Sequence, residues 1–451
     1  MSELLRQHLG PKLKSSINVQ NLVSKNTSFI PQKWNKYFNI RDDVEISSGT
    51  YRIYRRGVEG PLLFFIHGGG FSALSWSLLS KAITEDVRCQ CLAVDMRGHG
   101  DTKCNDDSDY SIDTLANDIV QIIFAMFPTE APPIILIGHS MGGAVSVHVA
   151  QKRAIPSFAG LVVIDVVEGT AVESLYSMTT FLRSRPQGFR SLTDAIAWSV
   201  KSGTIRNADS ACVSFPGQLK RVSTGESATQ ELEKGTAIIS ATSFPTSHPP
   251  SGSASAKTTS VHHLSGVSEE EGDEKEHLGD EVGGPNVANH PLPSINRGNG
   301  EMKPSYACPP KARQPLMASH HLPPRGTSET HSQSHVDTYP APAHSTTLTS
   351  SESGDAYTWR IDLMKTEPFW QGWFTNMSSL FLSVPEPKLL LIAGVERLDK
   401  ELTIGQMQGK FQLKILPKAG HAIHEDSPDE VASCLAQFLL RNQFTGAKPN
   451  L

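Results

Sequence analysis

Apolar positions along this chain alternate between two spacings. Short unbroken runs, such as "PLLFFI" ending at Ile66, "IILI" at 134–137 and "LVVI" at 161–164, predict buried strands. Between them lie stretches with apolar residues at i, i+3, i+4 and i+7. "IDTLANDIVQIIFAMF" (112–127) is the clearest, and "DEVASCLAQFLLRN" (429–442) closes the chain in the same way. "YRIYRRG" from Tyr51 adds a strand, "RCQCLAVDMRGHGDT" a strand running into a polar loop, and "KLLLIAGVERLD" and "FQLKILP" two more strands. This β-α-β-α order predicts a mostly parallel sheet with helices on both faces.

The pattern fails from about Val222 to Asp355. That stretch is crowded with Ser, Thr, Pro, Gly and most of the seventeen histidines, and it holds few aromatics. Too little apolar surface is available there to offset the entropy of ordering the backbone, so a disordered insertion is expected at 221–355. Its irregular histidine spacings read as a solvated polar tract. Strand and helix signals resume at Tyr357. A long loop inside one domain therefore fits better than a boundary, because closure cost grows slowly with length. The expected organisation is a flexible arm at 1–35, the first part of the α/β domain with the start of a lid at 36–220, and the insertion. The rest of the domain and lid follow at 356–445, with a tail at 446–451.

Charge narrows the function. Lys and Arg total 41 against 46 Asp and Glu, a net of −5, which argues against a nucleic-acid partner held on a basic face. No apolar run approaches bilayer length, so no membrane association is expected. The six cysteines form no CxxC pair, and disulfides and zinc are poor expectations. The expected setting is an intracellular, soluble one, cytoplasmic or nuclear.

Candidate chemistry sits between the strand "IILIGH" and the helix "MGGAVSVHVA". "GHSMG" fits G-x-S-x-G, a nucleophile elbow. The turn is so sharp that side chains two residues either side of Ser140 would collide, hence Gly138 and Gly142. Ser140 is thereby exposed at the carboxyl edge of the sheet, beside the N–H groups of a helix start. A base is needed, and "KAGHAIHED" offers His421 and His424. His421 lies on the loop just after a strand and is preferred; His424 is expected to face or cap the following helix with Glu425. The acid stays open: Asp165 ends "LVVID", and Asp399 follows "LLLIAGVERLD", with spacing slightly favouring Asp399. Either could instead cap a helix. For the oxyanion hole, the N–H of Met141 would pair with one from Gly68, Gly69 or Gly70 in "FFIHGGGFSALSW". No Gly-Lys-Ser/Thr follows that loop, so a nucleotide is not expected. His99, in "DMRGHGDT", reads as structural.

These residues lie within longer segments that resemble the protein phosphatase methylesterase family of α/β-hydrolases. The likeness rests on "GPLLFFIHGGGFSALSW", "LIGHSMGGAVSVH", "VVIDVVEGTAVESLYSM", "FLRSRPQGFRSLTDAIAWSVKSGTIRN", "YTWRIDLMKTEPFWQGWF" and "LLLIAGVERLDKELTIGQMQGKFQ…GHAIHEDSP". "IDVVEGTA" and "TIGQMQGKFQ" are far more specific than the elbow motif. The resemblance implies an α/β-hydrolase fold with a helical lid, and a triad of Ser140, Asp165 and His421, displacing Asp399 as the acid. It implies removal of a methyl ester from the C-terminal leucine of the type 2A protein phosphatase catalytic subunit. That phosphatase, with its methylated tail, and its holoenzyme would be the partners, and docking would reshape the site. The long, less acidic insertion departs from the family's variable, often acidic loop.

The expected chemistry is acyl transfer through Ser140 with methanol as first product, and it needs no cofactor and no metal. The segments Thr170 to Arg206 and Tyr357 to Leu382 would form the lid. Trp359, Phe369, Trp370, Trp373 and Phe374 would line a pocket or serve as plain lid core. The rival readings are a general small-molecule carboxylesterase or lipase, and a non-catalytic phosphatase-binding protein.

Overall fold

Strand Leu62–Ile66 shows how the core is built. Leu62, Phe64 and Ile66 project into one apolar cluster, and Leu63 and Phe65 into another on the opposite face. A strand apolar at every position must be covered on both sides. The computed structural model describes residues 29–239 and 356–446. The expectations for the arm before residue 29, for 240–355 and for the tail from 447 lie outside the described residues.

In chain order the strands are β1 (Ile40–Ile46), β2 (Gly49–Arg56), β3 (Leu62–Ile66), β4 (Gln90–Val94), β5 (Lys103–Cys104), β6 (Ile134–His139) and β7 (Phe158–Ile164). There follow β8 (Gly188–Phe189), β9 (Leu219–Arg221), β10 (Tyr357–Trp359), β11 (Lys388–Ile392) and β12 (Gln412–Ile415). The main sheet runs β1-β2-β4-β3-β6-β7-β11-β12, with β5 paired to β2. The steps from β4 through β3, β6, β7 and β11 to β12 are parallel, and β1-β2 and β2-β4 are antiparallel. Helices Ser77–Asp86 and Pro428–Arg441 cover one face through Leu79, Ile83, Val431, Leu435 and Phe438. Helices Ile112–Met126 and Met141–Lys152 cover the other through Leu115, Ile119, Val145 and Val149. Ser111 starts the helix predicted over 112–127 by accepting the N–H of Thr114, three residues on.

A separate apolar cluster forms from parts of both expected lid segments and from the chain between them. Phe189, Leu192, Ile196, Phe215, Leu219 and Tyr357 pack there around a small antiparallel sheet, β8-β10-β9. Here the chain on the two sides of the undescribed stretch meets, and Val222 N–H donates to the Ala356 carbonyl at 3.0 Å. Trp359 packs edge-on against Phe189, Trp198 and Phe215 beneath the Arg185 guanidinium, 4.0 Å from the ring centre. Trp370, Trp373 and Phe374 are buried in the core beside the sheet, with Phe369 partly buried against it.

Ordered chain extends beyond the expected edges. Residues 222–239 include a helix, Ala228–Lys234, where the insertion was expected to have begun. Ser227 caps it and donates to the buried Asp101 carboxylate, which Thr229 and Gln230 also reach. Glu231 takes Arg221 at 2.7 Å and the Tyr357 hydroxyl at 2.8 Å. This helix is held by buried polar pairs, which an apolar-content reading does not register. At the other end, residues 29–35 belong to the body rather than to a loose arm. Gln32 N–H donates to the Cys212 carbonyl at 2.8 Å, and Trp34 lies against Tyr54. No helix among the described residues is long and apolar enough to cross a membrane.

Candidate active site

The carboxyl ends of three neighbouring strands, β6, β7 and β11, carry the site in a backbone staircase. Ser140, just past β6, donates its N–H to the Ile164 carbonyl at 3.0 Å, and Asp165, just past β7, donates to Leu391 at 2.7 Å. Ser140 has φ 52° and ψ −121°, and Asp165 has φ 53°. Non-glycine residues rarely adopt positive φ, and such strain gathers where geometry is over-determined by function.

The glycines around Ser140 are required by contact. A Cβ on Gly138 would stand 2.0 Å from the Gly142 carbonyl oxygen, and one on Gly142 would stand 2.1 Å from that of Ile66. Gly68 faces Ser140 directly: a Cβ there would meet the serine Cβ at 3.2 Å. Thus the "HGGG" loop lies against the elbow. Over it sits Leu363, from the second lid segment, so close to Gly70 that a Cβ there would come within 2.8 Å of Leu363 Cδ1.

Two buried histidines shape that loop. The His67 ring donates from Nδ1 to the Gly68 carbonyl at 2.7 Å, which leaves Nε2 to accept the Met96 N–H at 3.0 Å. His99 donates from Nδ1 to the Arg97 carbonyl and accepts the Gly70 N–H at Nε2, 2.9 Å away. Burial holds both rings neutral; His67 is lowered well below the ordinary histidine value, and His99 falls to about 4. His99 is therefore structural, as its sequence context implied. Its bond also corrects one expectation: the Gly70 N–H is already committed. Among the described residues no hydrogen bond takes the N–H of Gly68, Gly69 or Met141.

Asp165 and His421 meet. The imidazole donates from Nδ1 to Asp165 Oδ2 at 2.8 Å, which leaves its Nε2 as the acceptor. Asp165 also accepts the Ala393 N–H at Oδ1, 3.0 Å, and Arg397 Nη1 at Oδ2, 2.7 Å. Burial alone would raise this carboxyl, but the His421 bond and charge, Arg397 and the Ala393 N–H outweigh it and hold it below the usual carboxylate range. Asp399, which spacing favoured, instead caps helix Lys400–Met407 by accepting the Leu402 N–H at 2.8 Å, and it accepts the Ser378 hydroxyl. Among the described residues the Ser140 hydroxyl makes no hydrogen bond, so the Asp165–His421 half of a relay is formed and the Ser140–His421 half is open.

His424 does not cap the following helix. Its ring is fully buried, 4.1 Å from Trp76 and 4.5 Å from His139, and burial lowers it to about 3. Glu425 is buried as well, with Ser210 and Ser214 donating to Oε2 at 2.7 and 2.6 Å. Sequence reading missed Arg397 and His139. Each stands inside a recognisable motif, "GVERLD" and "GHSMG", but neither sequence position reveals which atoms it reaches. Among the described residues no group of three or more His, Cys, Asp or Glu is arranged to hold a metal ion.

A strained serine between strand and helix, an Asp-His pair on the loops after β7 and β12 and a mostly parallel sheet define an α/β-hydrolase. A family model described as alpha/beta hydrolase fold matches residues 61–262. The solved structure of E-2-(acetamidomethylene)succinate hydrolase shares the fold alone: TM-score 0.51 at 14% identity, over 89% of this chain and 98% of that one. Much closer in sequence are proteins named protein phosphatase methylesterase 1. The one from Bos taurus is 42% identical over 92% of this chain and 87% of its own. That from Homo sapiens is 41% identical over 92% and 86%, and that from Schizosaccharomyces pombe 30% over 91% and 85%. The chain belongs to the protein phosphatase methylesterase family and is a hydrolytic esterase.

Proposed function

We propose that this esterase hydrolyses the methyl ester on the C-terminal leucine of the type 2A protein phosphatase catalytic subunit, which it meets alone or in its holoenzyme. The observation that carries the mechanism is the 2.8 Å bond from His421 Nδ1–H to a carboxylate kept ionised. That bond fixes the tautomer, so His421 Nε2 is the basic atom. As substrate binds, Ser140 Oγ–H turns to Nε2. His421 takes the proton while Oγ attacks the ester carbonyl carbon. The oxyanion is held by the N–H of Met141 and one from Gly68 or Gly69, the donors not already committed. Collapse expels methoxide, which leaves as methanol with the proton from His421. Water then enters, His421 takes its proton, and hydroxide attacks the acyl carbon. Ser140 leaves with that proton, and the leucine carboxylate is free. Asp165 stays ionised throughout and stabilises the imidazolium.

Methanol release from methyl-esterified phosphatase catalytic subunit tests this, with short-chain nitrophenyl esters as the comparison. Wild type should turn over the phosphatase ester with much the higher kcat/KM. Ser140→Ala should still bind the phosphatase and lose turnover by roughly 10⁴-fold or more. Preference for the nitrophenyl esters would favour a general carboxylesterase. Unchanged phosphatase turnover by Ser140→Ala would remove the nucleophile assignment.

A further inference from the structure

His139, the residue before Ser140, has a fully buried ring whose Nε2 lies 2.9 Å from the backbone carbonyl oxygen of His421. A carbonyl only accepts, so Nε2 carries the proton and Nδ1 is bare. Burial, reinforced by His424 and His421 nearby, keeps this ring neutral, well below the ordinary histidine value. The other ring edge faces the oxyanion loop, where a Cβ on Gly68 would stand 2.8 Å from Nδ1. Phe71 packs edge-on at 5.3 Å and His424 lies 4.5 Å away, so aromatic rings flank the imidazole. One buried side chain thus touches the three segments that must converge on an ester: elbow, oxyanion loop and base.

We propose that His139 is a positioning residue, whose Nε2–H holds the main chain of His421 at a fixed distance from Ser140. This rests on the reading of Ser140 and His421 as nucleophile and base. The need for such a tie follows from the way His421 is carried. It lies on a loop after β12, at the sheet edge, with its side chain 40% exposed. The loop is pinned on one side by Gly420 N–H to Asp426 Oδ2, at 2.6 Å, and that carboxylate also accepts the Arg206 N–H. Asp165 holds the imidazole ring at Nδ1, and it reaches the elbow through Ile164, its chain neighbour, whose carbonyl accepts the Ser140 N–H. His139 instead ties the main chain of His421, and because Ser140 is its own chain neighbour, the distance it sets is passed directly to the nucleophile.

The test compares His139→Gln, His139→Asn and His139→Phe with wild type and Ser140→Ala on the methyl-esterified phosphatase subunit, measuring kcat, KM and the rate of fluorophosphonate labelling. Gln places an amide N–H close to where Nε2 stands; Asn ends one bond short; Phe keeps the ring and lacks the donor. Gln should stay within about threefold of wild type. Asn and Phe should lose roughly 10- to 100-fold in kcat and in labelling rate with KM nearly unchanged, the size expected when reacting groups are misplaced by about 1 Å. Phe or Asn at wild-type kcat, or Gln and Asn falling equally, overturns the proposal. The Gln–Asn pair, both polar, decides the matter even if the Phe variant does not fold. Ser140→Ala separates the two levels: if it keeps activity, the underlying nucleophile reading has failed, and if it is inactive while Asn matches wild type, only the positioning role has.

Discussion

In the proposed mechanism Asp165 carries the most consequential side chain after Ser140. Its positive φ turns the carboxylate back across the strand ends, where the Ala393 N–H, His421 and Arg397 converge on two oxygens. Asparagine there would keep the shape and remove the charge, and its amide could present N–H toward His421. The imidazole would then be held in the wrong tautomer, with its bare nitrogen facing Asp165's position. Asp165→Asn is expected to lower kcat by about 10⁴-fold with little change in KM, as steady-state kinetics on the methyl ester would register. A loss under tenfold would mean that Asp165 is only a structural partner of Arg397. Residue spacing leaned slightly towards Asp399, and it had no physical ground to decide between Asp399 and Asp165. Each follows a strand of the same sheet, and the choice depends on which loop His421 faces. The longer family segments, by contrast, favoured Asp165, whose contact with His421 is now on view.

At the scale of elements, strands and long helices were readable because their apolar periods are plain. The helix expected over 112–127 spans Ile112–Met126, and the elbow strand and helix meet at Ser140 as the G-x-S-x-G spacing requires. Ala228–Lys234 was not readable from apolar content, since only Ala228 and Leu232 enter an apolar cluster and its polar anchors Asp101 and Tyr357 lie far away in sequence. A local signal existed: Ser227 followed three residues later by Gln230, whose N–H it accepts. Ser227 also donates to Asp101, a carboxylate shared with Arg52 and Thr229. Ser227→Ala removes the cap and one buried donor. It should destabilise the fold by about 1–2 kcal/mol, seen as a lower denaturant midpoint with an unchanged slope. An unaltered midpoint would show that the helix adds nothing to the body. His424 marks another limit of local reading. Beside an acidic pair and a helix start it was expected to face or cap that helix; the capping alternative fails, because Trp76 and His139 complete a buried pocket around it.

For the whole molecule, the layers bury ionisable groups that the chemistry does not use, and these tie stability to pH. Burial pushes the Glu425 carboxyl up from 4.5 to about 8. A raised folded-state value means that the folded protein keeps a proton the unfolded chain releases. Its stabilising contribution is complete below about 4.5 and is lost as pH rises toward about 8. His99 and His424 act in the other sense. Burial lowers them from 6.5 to about 4 and about 3, so their contribution is complete above 6.5 and is lost as pH falls through that range. Glu425→Gln keeps an oxygen for Ser210 and Ser214 and abolishes the titration. Between pH 5 and 8, wild-type Tm should decline relative to this variant, with the gap widest at pH 8. Parallel Tm curves across that interval would mean that Glu425 is ionised inside the fold.

The most direct test of the central claim is mass-spectrometric mapping of the adduct formed by a fluorophosphonate probe. Covalent label confined to the peptide bearing Ser140, and abolished by His421→Ala, is the expected result. Label on another serine, or undiminished labelling of Ser140 without the His421 imidazole, would contradict the assignment of nucleophile and base.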